Sequence, residues 1–204
     1  MDMRRLAVVV LAAGRGMRFR GAGHKLVQGL GQTSVLGSTL ANALETGLRV
    51  VVVCSEALAP SVREMIAASD VVVLPERGLQ GQVLPVGMGH SIAAGVSASG
   101  DADGWLILPG DMPMVRARSM RAVGEALLQS PVAFAQYRGL RGHPVGFAAE
   151  LYSDLIELQG DEGARRLIAR YPSAGVELDD AGVLVDVDTV EDLHKLRAQL
   201  QPQL

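Results

Sequence analysis

Five short runs rich in valine, leucine and isoleucine, at residues 6–11, 49–54, 71–74, 105–108 and 132–135, are near-continuously apolar and do not alternate with polar residues. A strand reads this way when both of its faces are covered. Between the runs lie segments of helical character at 34–45, 60–68, 90–97 and 117–128. Strand alternating with helix predicts a mostly parallel sheet joined by right-handed crossovers, an α/β fold. Past Tyr137 the pattern changes: extended pieces at 144–147, 175–178 and 183–185 flank a helix-loop-helix region over 149–170, and a charged helix covers 190–199. No repeat or long linker divides the chain, so residues 1–204 read as a single domain.

Aromatic residues make up only 3%, so the core must be aliphatic. With 19 Lys and Arg against 22 Asp and Glu, no basic face is available and a nucleic acid polymer is not an expected partner. The one cysteine, Cys54, follows four valines and reads as core, which fits a reducing, cytoplasmic setting. Arg4 and Arg5 ahead of the apolar stretch 6–13 resemble the start of a signal peptide. The stretch is far below the roughly 18 residues a membrane span needs and leads into a Gly/Arg loop, so a strand and no membrane are expected.

In such sheets the ligand crevice lies at the carboxyl ends of the strands. The first run leads into Leu11-Ala12-Ala13-Gly14-Arg15-Gly16-Met17-Arg18-Phe19-Arg20-Gly21-Ala22-Gly23-His24-Lys25-Leu26, with four glycines and four cations besides His24. Glycines let backbone N–H groups close on an oxyanion that arginine and lysine neutralise, so the loop reads as a polyphosphate cradle. It is not a dinucleotide fingerprint, because Phe19 stands where the third glycine belongs. Nor is it a P-loop, since His24 and Leu26 flank Lys25. A surface loop with solvated arginines is the alternative.

The fourth run ends in Leu108-Pro109-Gly110-Asp111-Met112-Pro113, which places an aspartate where it could hold a hard cation or cap the next helix. In the segment Val185-Asp186-Val187-Asp188-Thr189, an extended backbone would put Asp186 and Asp188 on one face as a second cation contact. Asp188 or Thr189 could equally cap the following helix.

These pieces, with Gly87-Met88-Gly89-His90-Ser91, Gly142-His143-Pro144-Val145 and Gly160-Asp161-Glu162-Gly163-Ala164-Arg165, occur in an order that resembles the MobA-like nucleotidyltransferases, and among them the molybdenum-cofactor cytidylyltransferases. The resemblance implies a three-layer α/β/α Rossmann-like nucleotidyltransferase fold of the GT-A-like class, mixed in its C-terminal part. It implies Arg18, Lys25 and Asp111 as catalytic, and Leu11, Ala12, Ala13, Gly14, Arg15, Gly16, Lys25, Gly87 and Ser91 at the nucleotide. It further implies Asp111, Asp186 and Asp188 at the metal, with His143, Pro144, Asp161 and Arg165 at the acceptor. The expected cofactor is Mg²⁺ or Mn²⁺, the donor a nucleoside triphosphate, and the acceptor the terminal phosphate of a molybdopterin-type compound, with a molybdoenzyme as eventual recipient. Ala12-Ala13-Gly14 in place of the Leu-Ala-Gly-Gly of guanylyl-transferring relatives favours CTP.

Two departures bear on the substrate. The segment 74–86 is longer than its family counterpart and carries prolines where asparagine is usual, and Phe19 replaces a common methionine. Another nucleotide, or a sugar or alcohol phosphate acceptor, would leave every motif intact. A non-catalytic pterin or nucleotide carrier is the third reading, and the presence of Arg18, Lys25 and Asp111 together argues against it.

Overall fold

The computed structural model describes residues 5–14, 16, 19–21, 23–75 and 87–200. Its elements are β1 (Leu6–Ala12), β2 (Gly29–Leu30), β3 (Thr33–Ser34), α1 (Val35–Leu44), β4 (Arg49–Ser55), α2 (Ala59–Arg63), β5 (Val71–Leu74), α3 (Met88–Ala98), β6 (Gly104–Pro109) and α4 (Ala117–Ala126). They continue as β7 (Val132–Tyr137), β8 (Leu140–Ala148), α5 (Tyr152–Ile156), α6 (Arg165–Arg170), β9 (Ser173–Glu177) and α7 (Val190–Leu200). Seven strands form one sheet in the order β5-β4-β1-β6-β8-β7-β9, and β2 with β3 forms a small separate ribbon.

β1 is central, parallel to β4 on one side and β6 on the other, with Val8 opposite both Val50 and Leu106. Its alternation divides the two cores. Val8, Val10 and Ala12 pack with α1, α2, α4 and α7, whereas Ala7, Val9 and Ala13 pack with α3, α5 and α6. The near-continuous apolar run therefore reflects a strand buried on both faces of a three-layer sandwich. On the second face α3 lies so close that a Cβ on Gly95 would stand 2.3 Å from Val9 Cγ1.

In the seven-stranded sheet β8 runs antiparallel to both of its neighbours, β6 and β7, and β9 returns parallel to β7. Here the structure departs from the sequence expectation. The predicted extended piece at 144–147 begins at Leu140, because Arg138 and Gly139, with φ of 50° and 78°, make a two-residue turn out of β7. Arg-Gly is a weak hairpin signal. The carboxylate of Glu177 on β9 completes it, accepting the Arg138 and Gly139 N–H groups at 2.5 and 3.3 Å. The helix expected over 60–68 ends at Arg63, and the residues expected to be extended at 183–185 instead enter through a 3₁₀ turn, Ala181–Leu184.

That turn carries the C-terminal segment back to the sheet. Asp180, 3% exposed, accepts the Ser119 hydroxyl at 2.6 Å and the backbone N–H groups of Arg116 and Gly182 at 3.1 Å each. Close approaches then seat the turn: a Cβ on Gly182 would lie 2.1 Å from the Met114 carbonyl oxygen, and one on Gly142 of β8 would lie 2.1 Å from that of Val183. Beyond it, the Val187 N–H donates to the Asp111 carbonyl at 3.0 Å, which joins the segment to the end of β6.

Replacing Asp180 with alanine leaves three donors without an acceptor in a buried place. Asp180→Ala is expected to cost about 2–4 kcal/mol of stability, read as a fall in the urea midpoint at unchanged slope. An unchanged midpoint would show that the anchor carries no weight.

Candidate active site

The carboxyl ends of β1 and β6 lie side by side, with Leu11 opposite Pro109 and the Gly110 N–H donating to the Leu11 carbonyl at 2.8 Å. The buried hydroxyl of Thr39 on α1 donates to the Gly110 carbonyl at 3.0 Å, so the chain leaving β6 is held from below. Asp111 follows directly. Its Oδ2 receives Lys25 Nζ at 2.5 Å, and the same ammonium reaches Asp188 Oδ1 at 2.7 Å. The Lys25, Asp111 and Asp188 side chains are 12%, 16% and 22% exposed.

Burial alone would lower the Lys25 pKa, but the two carboxylates outweigh it and hold the group above the ordinary lysine range. Asp186 is pushed up, first by burial and then by the negative charges of Asp188 and Asp111. Three carboxylates thus share one field with one lysine. Among the described residues none donates to Asp111 Oδ1, which is buried. Among the described residues, however, no three His, Cys, Asp or Glu side chains are assembled as a metal-ligand set. The expected group of Asp111, Asp186 and Asp188 therefore exists as a carboxylate pair bridged by Lys25, with Asp186 beside it.

The choice left open between Asp188 and Thr189 as helix cap is resolved by the hydrogen bonds. Thr189 Oγ1 accepts the Asp192 N–H at 3.1 Å and the Asp192 carboxylate accepts the Thr189 N–H at 2.9 Å, a capping box at the start of α7. Asp188 is thereby left to Lys25.

Of the residues expected at the nucleotide, Ala12 and Ala13 are buried beneath the loop. Gly16, with φ of 58°, rests on Lys25, since a Cβ there would stand 3.4 Å from Lys25 Cγ. Arg15 and Arg18 lie outside the described residues, as does the segment 76–86. Gly87 opens α3 against the 159–163 loop, where a Cβ would meet the Gly160 carbonyl oxygen at 2.3 Å and Asp161 Oδ1 at 2.8 Å. Packing therefore demands glycine at this position. Ser91 is buried, and its hydroxyl donates back to the Gly87 carbonyl at 3.3 Å.

On the acceptor side, His143 extends the pairing of Ile107 with Val145 to the level of Pro109, close enough to Asp111 to feel its charge. Burial lowers its pKa and Asp111 only partly offsets this, which favours a neutral imidazole. Pro144 is buried, whereas Asp161 and Arg165 are exposed on the loop and helix beside α3.

Three residues escaped the sequence reading. Asp180 anchors the segment that carries Asp188, but a lone aspartate near a turn gives no signal of burial. Arg141, two residues before His143 on β8, stacks its guanidinium 4.0 Å from the Phe134 ring centroid. His24 is bound at both ring nitrogens: Nδ1 accepts the Leu26 N–H at 3.2 Å and Nε2 meets the Gly14 carbonyl at 2.9 Å.

Residues 8–176 match the family described as the MobA-like NTP transferase domain. The chain is 34% identical over 116 residues to the purine catabolism protein PucB of Bacillus subtilis (strain 168), a match covering 54% of this chain and 56% of that protein. The chain thus aligns with only about half of that relative's length. Among solved structures it is similar to the Rv0371c homologue from Mycobacterium sp. strain JC1, with a TM-score of 0.80, 30% identity and 97% of this chain and 98% of that one covered. It is similar as well to Rv0371c of Mycobacterium tuberculosis H37Rv in complex with manganese, with a TM-score of 0.77, 26% identity and 96% and 100% coverage. Among the described residues no helix is long and apolar enough to cross a membrane.

Removing the Lys25 charge leaves the carboxylates to repel one another. A lysine held above its ordinary range contributes stability that is complete below about pH 10 and is lost as pH rises through the folded value. The stability gap between wild type and Lys25→Met should therefore be full below about pH 10 and narrow as pH rises beyond it, as read from thermal midpoints across pH. A gap independent of pH would assign the loss to packing instead.

Proposed function

Because the chain belongs to the MobA-like NTP transferase family, we propose that it transfers CMP from CTP to the terminal phosphate of a molybdopterin-type acceptor and releases pyrophosphate. The observation that carries this reading is Lys25 held between Asp111 and Asp188 at the joined ends of β1 and β6, directly under a glycine-rich loop. The choice of CTP rests on Ala12-Ala13-Gly14, and the choice of acceptor on the resemblance of the segments around His143 and Asp161 to the molybdenum-cofactor enzymes. Residues 1–204 are read as one transferase domain, acting in the cytoplasm on behalf of a molybdoenzyme.

The reaction needs no protein nucleophile. An oxygen of the acceptor phosphate forms a bond to the α-phosphorus while the bond from that phosphorus to the bridging oxygen of pyrophosphate breaks. The protein contributes position and charge. Lys25 offers a point charge to the α-phosphate, and Arg15 and Arg18 belong to the loop that receives the other phosphates. His143, kept neutral by burial, can orient the acceptor without adding charge to it. Gly87 and Ser91 form the N-terminal turn of α3 that borders the base, and Asp161 and Arg165 border the acceptor.

The residues present fit a divalent cation. Among the described residues Asp111 Oδ1 is a buried acceptor without a donor, and Asp188 shares the Lys25 ammonium with Asp111. Mg²⁺ is commonly held by one or two carboxylates plus the phosphates of the substrate, with no complete protein cage. Mg²⁺ or Mn²⁺ held by Asp111 and Asp188, with Asp186 beside them, would neutralise the charge of the triphosphate and the leaving pyrophosphate.

The test is pyrophosphate release with CTP, GTP, UTP and ATP, each with Mg²⁺ and molybdopterin. CTP alone should give turnover, Asp111→Ala should abolish it, and Lys25→Ala should lower kcat about 10²–10³-fold. Turnover with another nucleotide, or only with a sugar or alcohol phosphate, would replace the substrate and keep the site. Undiminished turnover in Lys25→Ala would remove the site itself.

A further inference from the structure

His24 stands just before Lys25 and is half-buried. Its ring partners are unambiguous: the Leu26 backbone N–H can only donate, so Nδ1 carries a lone pair, and the Gly14 carbonyl can only accept, so Nε2 carries the proton. One neutral tautomer satisfies both bonds. The first bond caps the short 3₁₀ turn Lys25–Val27, which sets the backbone from which the Lys25 side chain departs. The second reaches ten residues back to the glycine loop. Gly16, in its left-handed conformation, closes over the same pair, since a Cβ there would lie 3.6 Å from His24 Nε2 and 3.4 Å from Lys25 Cγ.

We infer that His24 is a positioning residue for the polyphosphate loop: its Nε2–H holds the Gly14 carbonyl down, away from the incoming phosphates, and its Nδ1 ties that constraint to Lys25. Glycine peptides reorient easily, and a carbonyl oxygen turned toward a triphosphate would repel it where an N–H group should face it. Among the described residues nothing lies within 4 Å of where a Cβ on Gly14 would stand, so side-chain packing there does not hold the residue and the imidazole bond does. A mobile loop must be ordered by its ligand, which weakens binding; a loop ordered beforehand binds more tightly. The inference rests on the transferase reading for the identity of the anion, but not for the constraint on the loop.

The two ring nitrogens can be separated. His24→Asn keeps an acceptor at the place of Nδ1 but is too short to reach Gly14, and His24→Gln carries an amide N–H to about the reach of Nε2. With CTP as probe, His24→Asn should raise KM about tenfold, one hydrogen bond's worth of preorganisation, at nearly unchanged kcat and thermal midpoint. His24→Gln should restore KM to within about twofold of wild type. Backbone ¹⁵N relaxation of Gly14 and Gly16, read without nucleotide, should show a loosened loop in the Asn variant and a wild-type loop in the Gln variant. A Gly14 as ordered in His24→Asn as in wild type overturns the inference whatever the protein transfers. A parallel fall of kcat and thermal midpoint in both variants overturns it too, because that is the signature of a structural cap alone. A loosened loop in a protein that turns over no nucleotide would instead sink the transferase reading and leave the constraint standing.

Discussion

One ammonium group between two carboxylates organises this molecule. Lys25 meets Asp111 from 86 positions away and Asp188 from 163, so three distant parts of the chain converge on a single charge. Burial, and then the negative charges of Asp188 and Asp111, push the Asp186 carboxyl up. Without a cation between them, neighbouring carboxylates would repel one another. The lysine makes the arrangement tenable, and Asp111 Oδ1, to which none of the described residues donates, marks where its compensation is incomplete.

The remainder of the fold can be understood as delivery of those groups. The parallel β1–β6 pair sets the glycine loop beside Asp111, and Thr39 and the Gly110–Leu11 bond fix the direction in which that aspartate leaves the sheet. Asp188 arrives by a longer route. The chain crosses β7, β8 and β9, is caught by Asp180, turns at a place where only glycine fits against Met114, and is joined to Asp111 through Val187. Thr189 takes over the capping of α7, which leaves Asp188 for Lys25.

Under the proposed function the site has two halves. The loop after β1 and the start of α3 form one, rich in glycine and suited to an anion approached by backbone groups. β8 and the 159–165 loop form the other, where His143 stays neutral and Arg141 is braced on an aromatic ring. A reaction that joins two phosphates must bring two anions against the same cation. In the proposed transfer, the charge between the halves, from Lys25 and from a divalent metal on Asp111 and Asp188, would permit their approach.

Much of this was legible in the residues themselves. Strands covered on both faces read as near-continuous apolar runs, so β1, β4 and β6 announce themselves without alternation, and Lys25 and Asp111 stand where an α/β sheet places its ligands. Local chemistry also marked Asp188, although sequence alone left it divided between the helix cap and the cation. What only the tertiary structure decided were pairings between residues far apart in the chain. The Arg138-Gly139 hairpin depends on Glu177, the seat of Asp188 on Asp180, and the tautomer of His24 on Gly14. A residue's type and its immediate neighbours encode propensity and burial, which are local. Which lone pair meets which proton is set by three-dimensional closure, and no single segment of this sequence contains it.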